Sequence, residues 1–91
     1  MAKVKDDMKN QELLGNIKKF AAKMVWHCLK GNPGLTRRWG ERMKCAKWCA
    51  EQRGIGMDEI EKYEVAGAHM AVEAFQTGDC VEYVEWMEVL A

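Results

Sequence analysis

Ninety-one residues with 14 acidic and 14 basic side chains make one small domain, of a size that buries about 60–70% of its unfolded surface. A content of 48% hydrophobic and 31% charged residues with one proline belongs to a folded chain rather than a disordered one. No run of about 18 apolar residues is present to span a membrane, and the opening MAKVKDDMKNQ lacks the apolar stretch of a secretory signal. Four cysteines without such a signal read as reduced thiols of a cytoplasmic protein.

The first seven residues read as a frayed leader. Beyond them, Leu13, Ile17, Phe20, Met24 and Cys28, with Leu14, Ala21, Val25 and Leu29 beside them, recur at helical spacing. KGNPG ends this helix, because Gly31 suits a left-handed cap and Pro33 cannot continue the hydrogen-bond ladder. A second helical stripe, Leu35, Trp39, Met43, Ala46 and Ala50, follows, with Thr36 as the expected N-cap and Gly54 as the C-terminal stop. A third starts at Asp58, with Glu61 completing a capping box, and carries Ile60, Tyr63, Gly67, Met70, Ala71 and Ala74. The fourth repeats the start signal with Asp79 and Glu82 and carries Cys80, Val84, Met87 and Ala91. No segment alternates as a strand does. The expectation is an all-α single domain, residues 1–91, a compact bundle of about four helices joined by short turns.

The net charge of zero hides a division. Residues 1–54 carry thirteen Lys or Arg against five Asp or Glu, a net +8, and residues 55–91 carry one Lys against nine acids, a net −8. Two faces of opposite sign suggest a partner for one of them, or halves that neutralise each other.

Placed at 100° per residue, Trp39 falls in the core stripe of the second helix and Trp48 roughly opposite, among Arg37, Glu41 and Lys44. Trp26 projects in the same manner from the first helix, among Lys19, Lys23 and Lys30, where either the edge of the core or a partner would cover it. Tryptophan with arginine is the composition of a protein-docking anchor, which makes Arg37, Arg38, Arg42, Lys44, Trp48 and Trp26 the candidate binding residues. Bases stack on aromatic rings and phosphates pair with Arg and Lys, so nucleic acid is the alternative partner for the same residues. Against it stands the acidic half. Glu82, Glu85 and Glu88 recur at threes as either a solvated face or a second docking strip for a basic partner. Val65, His69 and Val72 share the outer side of the third helix and are the candidate seam for a homodimer.

Enzymatic chemistry finds little support. GNPGLT lacks the lysine and the preceding strand of a phosphate loop. Arg38, Arg42 and Lys44 near Cys45 are neighbours that activate a thiol, but nothing in the sequence brings His27 to it as a base. Cys45 and Cys49 share one helical face and raise a metal-binding alternative, yet zinc needs four ligands and no second short Cys/His pair exists. Neither cofactor nor metal is expected. The reading that results is a small non-enzymatic protein that binds another protein through charged helical faces. Its size and bipolar charge fit a stand-alone inhibitor of a host defence complex, of the kind that phages and mobile elements carry.

The metal expectation is open to direct test. The purified protein should hold less than one equivalent of zinc or iron, and a chelator should leave its melting temperature unchanged. Near-equimolar metal by elemental mass spectrometry would reverse the ranking.

Overall fold

A computed structural model describes residues 2–77, with side chains from residue 8 onward. Three α-helices fill it: α1, Ala2–Leu29; α2, Pro33–Gln52; and α3, Met57–Thr77. The all-α expectation holds, with three helices rather than about four among the described residues. The fourth expected helix, with Glu82, Glu85 and Glu88, lies outside them. Residues 2–7, expected to fray, continue the backbone of α1.

Both turns follow from glycine. Gly31 adopts φ 76° and Gly54 φ 81°, conformations costly for any residue with a Cβ. At the first turn the Asn32 N–H donates to His27 O at 2.8 Å and the Gly31 N–H to Cys28 O at 3.0 Å. At the second, the Ile55 N–H donates to Ala50 O at 3.1 Å and the Gly54 N–H to Glu51 O at 3.0 Å. Each is the paired pattern of a Schellman stop, and at the second turn Ile55 folds back against the core that contains Ala50.

The helix starts differ from expectation. Asn32, not Thr36, caps α2: its side-chain oxygen accepts from the Leu35 N–H, and Pro33 fills the first helical position, where a missing N–H costs nothing. Thr36 is already inside the helix and donates its hydroxyl to Asn32 O at 2.8 Å. Asp58 is likewise inside α3, because the Gly56 carbonyl takes the first helical bond, from Ile60 N–H at 3.1 Å. Asp58 and Glu59 then stand in the first turn of α3, where the helix dipole favours negative charge.

Helix α1 is the middle of the molecule. Helices α2 and α3 each pack along it and scarcely meet each other. One core cluster joins all three helices through Leu14, Ile17, Ala46, Ala50 and Ile60, flanked by Phe20, Ile55 and Tyr63. A second, Ala22, Trp26, Ala71 and Ala74 with Val25 and Met70, belongs to α1 and α3. The half-buried Lys47–Glu64 ion pair, 2.8 Å, links α2 to α3. No helix among the described residues is long and apolar enough to cross a membrane.

The middle position explains why α1 buries residues outside its expected stripe. Cys28 and Leu29 are exposed, whereas Ala22, Lys23, Trp26 and His27 are buried. A helix with neighbours on two sides buries more than the single stripe that periodicity identifies.

The closest approach lies at Gly67. A Cβ there would stand 2.1 Å from the Lys18 carbonyl oxygen, so α3 sits on the backbone of α1 with no room for a methyl group. Gly67 and Gly15 therefore form a matched test. Gly67→Ala should destabilise the fold by about 2 kcal/mol or more, because a helix backbone must shift. Gly15 is mid-helix, and a Cβ added there would meet nothing within 4 Å. Its replacement by alanine should stabilise the fold by about 0.5–1 kcal/mol. Denaturant melts of both variants read the outcome, and equal effects would remove the close approach as the cause.

Candidate docking face

Apolar packing of Trp39, Met43, Ala46 and Ala50 against α1 turns the opposite side of α2 to solvent. Trp48 is 61% exposed there, the one exposed tryptophan among the described residues, and Arg37, Arg38, Arg42 and Lys44 are exposed with it. Glu41 is the acid among them. Lys47, on the flank towards α3, is drawn to Glu64 and does not join the group. The face is thus an aromatic side chain set in a basic field.

One edge of this face is a groove between α1 and α2. It is open, about 480 Å³ in volume, and lined by Phe20, Arg38, Glu41, Arg42, Cys45, Ala46 and Cys49. A smaller hollow of about 330 Å³ lies at the α1–α2 corner, lined by Cys28, Gly31, Asn32, Pro33, Thr36 and Arg37. Cys28, Cys45 and Cys49 are all free and exposed. Among the described residues, no three His, Cys, Asp or Glu side chains gather where they would hold a metal ion.

Trp26 does not belong to the docking face. It is 3% exposed, packed on Ala71 and Ala74, and meets the Phe75 ring edge-on at 5.9 Å. The Lys30 ammonium lies over its ring at 5.2 Å. Helical periodicity puts Trp26 opposite the α1 stripe, which is correct as an angle; α3 occupies that side. On α3 itself Val65, 64% exposed, and His69 face outward, and Val72 is half-buried.

The side chain whose environment differs most from the sequence expectation is Lys23. It is 1% exposed, and its ammonium stands 4.5 Å from the centre of the Trp39 ring. Arg42 lies over the same ring at 4.6 Å, and Phe20 packs against it at 5.6 Å. Trp39 therefore receives two cations, and Arg42 connects the core to the groove. Burial, followed by repulsion from Lys19 and Arg42, lowers the Lys23 amine from 10.5 to about 8. Periodicity sets Lys23 outside the α1 stripe, and its long stem lets it pack there because α2 brings the Trp39 ring to that side.

This shift makes stability depend on pH. Between about pH 8 and 10.5 the unfolded chain holds the Lys23 proton more tightly than the folded chain. Stability should therefore rise as pH is raised through that window, and below it the contribution should be flat. Lys23→Met keeps the stem without the charge, so the difference in unfolding free energy between the two proteins should narrow or change sign from pH 8 to 10. A difference independent of pH would refute the assignment. Comparison with protein-family models, curated proteins and solved structures gives no match, so the functional reading rests on this geometry.

Proposed function

We propose that the chain is a non-enzymatic binding protein that docks onto another protein through the outer face of α2. The observation that carries this is Trp48, 61% exposed on the outer side of α2, the side that also carries the exposed Arg37, Glu41 and Lys44. A tryptophan in water forgoes the burial its surface would gain, and Trp with Arg is the pairing enriched at the energetic centre of protein interfaces. The exposed arginines Arg38 and Arg42 extend the field along the groove, so the matching surface is acidic. Inhibition of a larger assembly, as a phage or mobile-element protein would perform it, suits a single small domain that covers another protein's site. The exposed free thiols of Cys28, Cys45 and Cys49, three among the described residues, suit a reducing, cytoplasmic setting.

Two further surfaces enter this reading. Val65, His69 and Val72 on α3 are the seam through which two copies would associate. Glu82, Glu85 and Glu88 remain a proposed acidic strip. Nucleic acid is the alternative partner for α2, but burial of Trp26 takes away half of the aromatic content that a stacking surface would use.

Trp48→Ala separates docking from packing. Its stability should change by no more than about 0.5–1 kcal/mol, since the ring contributes little burial. Capture of a protein partner from nuclease-treated lysate should weaken by about 2 kcal/mol, roughly 30-fold. A loss of about 3–5 kcal/mol in stability would show that the ring is packed. Binding that disappears with nuclease and falls steeply with salt would favour nucleic acid.

A further inference from the structure

Helix α2 presents Arg38, Arg42, Cys45 and Cys49 along one line, spaced four, three and four residues apart, and all four line the same groove. Phe20 and Ala46 supply its apolar floor and Glu41 its acid. The two thiols are exposed and sit one helical turn apart. We propose that this groove is a site of thiol modification by an anionic peptide disulfide, of the glutathione disulfide class.

The chemistry is thiol–disulfide exchange. A thiolate of Cys45 or Cys49 attacks one sulfur of the peptide disulfide, a new S–S bond joins protein and peptide, and the old S–S bond breaks. The protein thiol is oxidised to the disulfide level, half of the peptide disulfide is reduced, and the proton given up by the protein thiol ends on the departing peptide thiolate or in water. Nothing else is consumed.

Two properties of the groove select the reagent. First, each half of glutathione disulfide carries two carboxylates and one ammonium, and the groove offers two guanidiniums and one carboxylate. Arg38 and Arg42 take the carboxylates, and Glu41 takes the ammonium. A volume of about 480 Å³ lies in the range of small-molecule sites and suits one peptide rather than two. Second, the adduct persists. Side chains four apart on a helix have Cβ atoms about 5–6 Å apart, whereas a disulfide needs about 3.5–4.5 Å. Cys49 therefore cannot expel a peptide from Cys45 by closing an internal bridge, nor the reverse, unless the turn between them unwinds. Cys28 is the internal reference: it is equally free and exposed, but in the corner hollow, where Arg37 is the single charged lining residue.

The test follows modification of the full reduced chain over time, with each cysteine read separately by peptide mapping. Glutathione disulfide and the neutral hydroxyethyl disulfide are the two probes. At low salt, glutathione disulfide should modify the Cys45/Cys49 pair about tenfold faster than Cys28, with one adduct on the pair, as expected of electrostatic capture. With the neutral disulfide, or in high salt, the preference should collapse. Arg42→Gln should lower it too, and because Arg42 also stacks on Trp39, Arg38→Gln serves as the variant free of that contact. A preference equal for both disulfides, or unchanged in Arg38→Gln, would overturn the proposal and leave two accessible thiols of ordinary reactivity.

Discussion

The molecule depends on one backbone-to-backbone contact. Gly67 rests on the Lys18 carbonyl, and this contact sets how closely α3 approaches α1 at mid-helix. On the C-terminal side of that contact the alanines Ala22, Ala71 and Ala74 are buried between the two helices, with Val25 and Met70 packed against them. Trp26, the large side chain of this buried cluster, packs with them and meets the Phe75 ring in a T-shaped contact. Larger residues at any of these positions would push the helices apart and open a gap around the others, since dispersion contacts are lost steeply with separation.

The α1–α2 interface is built on the opposite logic. Trp39 and Met43 are bulky, and the central ring is stacked by cations rather than sealed by aliphatics. An indole face carries enough negative potential to hold Lys23 and Arg42 close despite their mutual repulsion. Arg42 is thereby fixed at one end, and its position at the groove rim is set by the core. Charge on the outer face of α2 is thus tied to packing beneath it, whereas Trp48 is set in place by helix geometry alone.

Much of the fold is legible in the sequence. The stripes of α2 and α3 name the residues that are buried, Trp39, Met43, Ala46 and Ala50 in one and Ile60, Gly67, Ala71 and Ala74 in the other. Gly31 and Gly54 mark both stops, because a left-handed residue after a helix is a local requirement. What periodicity lacks is the number of neighbours a helix has. For that reason the pattern alone leaves Trp26 open between the core edge and a partner surface and sets Lys23 on a basic face, and the structure buries both. It also puts Cys28 and Leu29 in the core, whereas both are exposed at the end of α1. The helix starts differ for a local reason: an Asn–Pro pair and a glycine carbonyl claim the cap positions ahead of Thr36 and Asp58. In the candidate site, the exposure of Trp48 and of the basic residues around it follows from the angle to Trp39. The groove does not, since its wall is Phe20, and only the register of α1 against α2 puts that ring beside Cys45 and Cys49.

Helices α2 and α3 each lean on α1 and touch each other little outside the shared Ala46–Ala50–Ile60 cluster and the Lys47–Glu64 pair. In the terms of hydrogen exchange, protection should then be graded, highest in α1, which both neighbours cover. Release of α3 would expose its own amides and the Trp26 side of α1, and would withdraw Ile60 from the cluster that α2 shares. A weight placed on α2 would be felt first in α2 and the Phe20–Lys23 side of α1, and would reach α3 only through that cluster, the ion pair and the Lys18–Gly67 contact.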